Sequence, residues 1–322
     1  MRNQLKSPTL SNKLRKRSVV LVLLGTAVLM GMIFGAEAQI AFMSGSFKNP
    51  EIYVMASNGK NLRQLTHHEL YDADPTWSPD GTQIAFESDR AGFFFDIFVI
   101  TMDGKEPINL TQHLSDDGGP AWSPDGKQIA FSSFRDGNPE LYVMNADGTN
   151  PTRLTDHPGA DIYPTWSPDG KQIAFESTRI FGSDIFVMNI DGTDIRRVTT
   201  SRFWDTEPAW SPDGTQIAFA SWREKIWDIY IINVDGKAET NLTNSRSDEK
   251  HPTWSPDGQQ IAYSSKRNGL YSIHVINADG NGVAAIAEDL QLALHPTWSP
   301  KPFAISPKGK SSTLWGALKS KR

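Results

Sequence analysis

Trp166-Ser167-Pro168-Asp169-Gly170-Lys171-Gln172-Ile173-Ala174-Phe175-Glu176-Ser177-Thr178-Arg179 is one of five close copies of a single stretch. The others begin at Trp77, Trp122, Trp210 and Trp254, and a broken sixth copy, His295-Pro296-Thr297-Trp298-Ser299-Pro300, ends the series. The tryptophans recur every 44 or 45 residues. A period of that size, rich in strand formers, is that of a propeller blade and not of a helical repeat.

Each repeat reads as four short strands. Pro-Thr/Ala-Trp opens the first. Ser-Pro-Asp-Gly is a type I turn, with Pro fixing φ and Gly supplying the left-handed residue that follows. Ile-Ala-Phe makes the second strand, and a run such as Leu141-Tyr142-Val143-Met144 the third. Asn145-Ala146-Asp147-Gly148 is another tight turn. The last strand is expected to end in Leu-Thr or Val-Thr, as at Leu65-Thr66, Leu110-Thr111, Leu154-Thr155, Val198-Thr199 and Leu242-Thr243.

The two ends complete each other. Ile40-Ala41-Phe42 is a second strand with no Trp motif before it, and the last copy supplies a first strand and stops. Together they make one composite blade. The expected fold is all-β: a six-bladed β-propeller closed by pairing of the N- and C-terminal strands, which removes the exposed sheet edges. The turn residues Asp-Gly become Lys301-Pro302 in the last copy, where the chain need not turn into its own second strand.

The pattern Trp-Ser-Pro-Asp-Gly-(Lys/Thr)-Gln-Ile-Ala-Phe-x-Ser-x-Arg resembles the TolB-type β-propeller repeats over about residues 39–300. TolB family members also carry an N-terminal α/β domain, for which this sequence has no room. The resemblance implies a cell-envelope protein, with a peptidoglycan-associated lipoprotein as one partner for the propeller face.

The 322 residues carry 32 Lys and Arg, 37 Asp and Glu, and no Cys. Absence of Cys excludes a disulfide scaffold and a thiolate nucleophile or zinc site. Charge is uneven. Residues 39–300 hold 20 basic and 36 acidic residues, a net of −16, while residues 301–322 hold six basic residues and no acid. An acidic body argues against nucleic acid as a partner. Residues 1–17 are basic and polar, Ser18 to Phe34 is apolar, and Ala36-Glu37-Ala38 is a small-x-small site. That order is a Sec signal peptide over residues 1–38, cleaved before Gln39. The rival is an uncleaved anchor. The expected mature protein is a monomer, periplasmic or secreted, without a membrane span. The domain reading is therefore 1–38 signal peptide, 39–300 propeller and 301–322 basic tail.

Among recurring residues, an Arg follows each intact Trp by 13 positions and a carboxylate precedes it by five. Their symmetry about the turn predicts salt bridges within each blade: Asp72 with Arg90, Asp117 with Arg135, Asp161 with Arg179, Asp205 with Arg223, Glu249 with Arg267. The composite blade has Ala293 and Ser46 instead. Ser44, Ser88, Ser133, Ser177, Ser221 and Ser265 recur as architecture, since a nucleophile would be one of a kind.

Departures from the repeat point to function. Three residues before each Trp stand Asp74, Gly119, Tyr163, Glu207, His251 and His295. Asp74, Glu207, His251 and His295 are neighbours around the ring, across the closure, where the innermost strand starts. Two His and two carboxylates suit a polar ligand or a divalent metal ion; the rival reading is a set of solvated rim residues. No other cofactor is implied. Loops between second and third strands carry Phe93, Phe94, Phe95, Phe181, Trp222, Trp227 and Tyr271, expected on the same face as the channel mouth, as a partner surface or as inter-blade packing. His67-His68-Glu69 is not a zinc-protease motif. There is no Gly-x-Ser-x-Gly elbow, phosphate loop or His-Glu-x-x-His. The leading expectation is a non-catalytic exported scaffold that binds an envelope protein or peptide. The alternative is a metal-assisted saccharide lyase or hydrolase, or a glycan binder, using the His/carboxylate arc.

Overall fold

A computed structural model describes residues 36–288, 290–300 and 303–304. The apolar run of the signal-peptide reading and most of the basic tail lie outside the described residues. Six four-stranded antiparallel sheets follow one another around a ring. Blade 1 comprises Asp72–Trp77, Gln83–Ser88, Asp96–Thr101 and Ile108–Asn109. Blades 2 to 5 repeat this order from Asp117–Trp122, Asp161–Trp166, Trp204–Trp210 and Asp248–Trp254. Blade 6 is the composite: Ala293–Trp298 pairs with Gln39–Ser46, followed by Asn49–Ala56 and Arg63–Gln64. Its closing register sets Ile40 against Trp298 and Ser44 against Ala293. A separate two-stranded pair, Ala36–Glu37 with Phe303–Ala304, belongs to a second unit.

The core lies between blades. Ala85, Ile97 and Val99 of blade 1 pack on Trp122, Ile129 and Phe131 of blade 2, and the same alternation recurs between blades 2 and 3, 3 and 4, 4 and 5, and 5 and 6. The repeated Trp fastens neighbours. Trp77, Trp166 and Trp254 donate their indole N–H to the carbonyls of Thr297, Ala121 and Ala209 in the preceding blade, at 3.2, 3.0 and 3.2 Å.

Two expectations about strand limits need correction. The outermost strands are only two residues long and stop before Leu-Thr. Leu154 still donates its N–H to Leu141, but the Thr155 side chain rather than its backbone accepts the Leu141 N–H, at 2.9 Å, and turns the chain away. The innermost strands begin earlier than expected, because a β-bulge carries the chain past Pro instead of starting there.

The recurring carboxylate and Arg pair in four of the five intact blades. Asp72 with Arg90, Asp117 with Arg135 at 3.0 Å and Asp161 with Arg179 at 2.6 Å are close, and Asp205 lies 3.9 Å from Arg223, which bonds Glu239 at 2.6 Å. Each Arg also sits over aromatic rings of its own blade, Arg179 at 5.4 and 5.0 Å from the Phe175 and Phe186 centroids. The recurring Ser joins in: Ser88 donates to Asp72 and accepts from Arg90 Nε. Without carboxylate or Arg in the composite blade, Ser44 donates to the Leu292 carbonyl. The expected Glu249–Arg267 pair is not made within 4 Å. Glu is one methylene longer than Asp, Ser245 holds its Oε1 at 2.7 Å, and Arg267 is exposed beside a two-residue hairpin.

Candidate functional site

The site begins with Pro75, Pro120, Pro164, Pro208, Pro252 and Pro296. Lacking an N–H, Pro cannot make a ladder rung and is tolerated at a bulge. In each blade the residue before it therefore leaves the ladder, and Asp74, Gly119, Tyr163, Glu207, His251 and His295 all adopt φ between 48° and 58°. For a non-Gly residue this left-handed conformation costs about 1–2 kcal/mol. Five strained side chains at one level of a ring are consistent with a functional site. These residues and the Pro-Thr/Ala pairs after them line a central cavity of about 190 Å³.

Neighbouring blades support the bulges. Gly119 N–H donates to Glu87 at 3.0 Å, Tyr163 N–H to Ser132 Oγ at 3.2 Å and His295 N–H to Ser264 Oγ at 3.2 Å. In blade 4 the equivalent position is Ala220, which cannot accept, so His251 N–H turns to Glu207 Oε2 at 2.7 Å. Glu207 Oε1 lies 3.3 Å from His251 Nε2. The His251 and His295 rings stack with centroids 3.6 Å apart and a 30° tilt, and His295 Nδ1 pairs with Asp74. The four residues named from the sequence thus form one chain of contacts from blade 4 through blades 5 and 6 to blade 1.

The two histidines differ in charge. Burial drives His251 well below its ordinary pKa, and the charges of His295 and Lys250 push the same way. Burial also opposes a charge on His295, but Asp74, with Glu207 and Glu87, outweighs it and raises that pKa. The shift favours the neutral form of His251, while Asp74 favours the proton on His295. Burial raises Glu207, opposed by Lys250 and His295. The Asp74 charge, followed by burial, raises the Tyr163 phenol.

Sequence reading missed two carboxylates behind this ring. Burial and the Asp74 charge push Glu87 up to about 8, and burial with the Glu207 charge pushes Glu176 up to about 7. Both are departures at the position before the recurring Ser, where other blades carry Ser132, Ala220, Ser264 and Met43. Column-by-column comparison would have found them. Lys250, whose ammonium lies 3.9 Å from the Trp227 ring centroid, and Tyr71, pushed up to about 12 by burial and nearby carboxylates, were also missed.

Among the described residues, no group of three or more His, Asp or Glu side chains is placed to hold a metal ion. His67, His68 and Glu69 line a wide open groove with Glu51 on blade 6. There Glu51 accepts from Thr66 and from the His68 N–H, as Glu140 does from Thr155 and His157.

The loop aromatics divide. The pairing of Asp72, Ser88 and Asp96 in one row puts the second-to-third-strand loops at the same end as the start of the innermost strand. Phe93 and Phe181 are 98% and 99% exposed there, and Phe94 and Trp222 are exposed as well. Phe95 instead packs edge-on against Tyr71, Trp227 against the blade 4–5 core, and Tyr271 against Phe47. Trp204, exposed and absent from the sequence expectation, stands in register with Trp222, and Trp222 with Trp227. The Trp204 and Trp222 rings are 5.9 Å apart.

Two matches to the TolB beta propeller domain model cover residues 96–208 and 201–310. Among solved structures, TolB from Acinetobacter baumannii is 23% identical with a TM-score of 0.75, over 82% of this chain and 67% of that one. A putative TolB from Agrobacterium tumefaciens is 21% identical with a TM-score of 0.65, over 84% and 99%. A chain of a nidogen/laminin complex, 12% identical, has a TM-score of 0.67 over 81% and 98%. At these identities the likeness is one of fold.

Proposed function

This chain belongs to the TolB beta propeller domain family, and we propose that it is an exported scaffold of the cell envelope that binds a protein or peptide at its channel-mouth face. One observation carries the reading. Every exposed aromatic side chain among the described residues lies at the mouth end: Phe47, Phe93, Phe94, Phe134, Phe181, Phe203, Trp204 and Trp222. Large aromatics offer contact area at low entropic cost and dominate recognition surfaces. The opposite end is built from near-identical Ser-Pro-Asp-Gly turns, so sequence variation is concentrated where binding is proposed.

Photo-crosslinkers at Phe93 and Phe181, with controls at Ile190 and Val283, test this in envelope extract and against purified peptidoglycan-associated lipoprotein. Adducts formed from the mouth positions, absent from the controls and lost in Trp204→Ala/Trp222→Ala, support it. Equal labelling from both ends refutes it.

A further inference from the structure

We propose that the central channel is a socket for one cationic side chain of the partner, the ammonium of a lysine or the guanidinium of an arginine. The proposal rests on the mouth face being the binding surface and names the chemistry received behind it.

The channel wall is lined by carboxylates, imidazoles and the hydroxyls of Tyr163 and four threonines, and it holds no Lys or Arg. Asp74 and Glu207 line it, and Glu87 and Glu176 stand behind the bulges they support or face. Of the nearby cations, His295 is committed to Asp74. Lys250 sits over the Trp227 indole and makes no ion pair within 4 Å among the described residues. One polar atom left over among the cavity-lining side chains is an acceptor. In its favoured neutral form His251 turns Nε2 toward Glu207, so Nε2 carries the proton and Nδ1 presents a lone pair; Nδ1 is buried without a partner. Glu176 is 7% exposed behind this wall, where Ser183 donates to its Oε1 at 2.7 Å and the Glu207 N–H faces its carboxyl. Leaving a buried acceptor unsatisfied forfeits the hydrogen bond it would make to water. A ligand that relieves it must bring an N–H group. An ammonium has three and a guanidinium five, whereas a carboxylate or sulfate has none and would meet the lining carboxylates Asp74 and Glu207.

A cation entering this wall favours ionised carboxylates. Glu176 and Glu87, raised to about 7 and about 8 in the free protein, would release protons to solvent on binding. Affinity therefore rises with pH across that window. The other titratable groups facing it are Asp74, Glu207, Tyr163, Tyr71, Asp89, Asp116, Lys250 and the two histidines.

The experiment follows the His251 and His295 ring proton resonances during titration with N-acetyl-lysine methylamide, its arginine counterpart and the neutral N-acetyl-norleucine methylamide, in chelator-treated buffer. Support is saturable shifts with the two cationic amides and none with norleucine, about tenfold tighter at pH 8 than at pH 6, and abolished in Glu207→Gln. Glu176→Gln, which leaves the bulge side chains in place, should weaken binding and lose part of the pH dependence; it keeps the test open if Glu207→Gln does not fold. Equal shifts with norleucine, or none with either cation at pH 8, overturn the socket. Trp204→Ala/Trp222→Ala separates the two readings, because the lysine amide should still shift the histidines there while crosslinking to the partner disappears.

Discussion

Replacing Arg179 by Ala strands a carboxylate. Asp161 is fully buried, its Oδ2 lies 2.6 Å from Arg179 Nη2, and Ser177 satisfies Oδ1. Burial already raises the Asp161 pKa, opposed by Ser177 and Arg179. Removing the Arg leaves an uncompensated buried charge, so Arg179→Ala should cost about 3–5 kcal/mol at pH 7. The reverse change is milder. In Asp161→Ala the guanidinium stays stacked over Phe175 and Phe186, and its side chain is 13% exposed and reaches water. Loss of its charged hydrogen bond should cost about 1.5–3 kcal/mol. The double variant strands nothing, so it should fall short of the sum by about 1–3 kcal/mol. Urea titration followed by Trp fluorescence reads all four corners of the cycle. The sign with pH is a further check. A folded pKa above the unfolded one means that ionisation disfavours the fold, and without Arg179 the folded pKa rises further, so Arg179→Ala should lose more stability as pH rises above the normal carboxylate range. Additive costs within about 0.5 kcal/mol would refute the pairing as the reason these residues recur. Glu249→Ala with Arg267→Ala, which make no direct contact within 4 Å but share Ser265, should couple more weakly than the Asp161–Arg179 pair.

Three more outcomes follow. Glu87 and Glu176 bind protons more tightly folded than unfolded, so stability should fall as pH rises from about 4.5 to about 8, at up to about 1.4 kcal/mol per unit for each proton; Glu87→Gln, which can still accept from Gly119, should flatten that slope in urea midpoints between pH 5 and 9. Trp166→Ala removes an inter-blade clamp and should cost about 3–5 kcal/mol, whereas Phe181→Ala, at a side chain 99% exposed, should change stability by no more than about 0.5 kcal/mol. Deleting residues 293–322 removes the strand that closes blade 6 and exposes the edge of Gln39–Ser46, so size-exclusion chromatography should show aggregate instead of monomer.

Fold and blade count were legible in the chain because a repeat announces itself. Each Trp-Ser-Pro-Asp-Gly turn is locally encoded, and a 44-residue unit that cannot bury its faces alone must stack on its neighbours. The split composite blade followed from which strand each terminus lacked. The four-residue arc was legible as a column of departures, but its contacts were not. Local chemistry says that Pro interrupts the ladder; it does not say that Glu207 turns to His251 because Ala220, on the second strand of its own blade, has no acceptor. Nor does it show that Glu249 misses Arg267 by one methylene and a tight hairpin, or that Phe95 and Trp227 are spent on packing while Trp204 is exposed.

What the sequence determined by itself is the repeating part: strands, turns, closure and the recurring Asp, Ser and Arg, all set by interactions within one 44-residue unit. What only the tertiary structure decided is the non-repeating part. The protonation of His251, His295, Glu87 and Glu176 depends on burial and on charges from five different blades converging on one axis, and such fields exist only once the ring is closed.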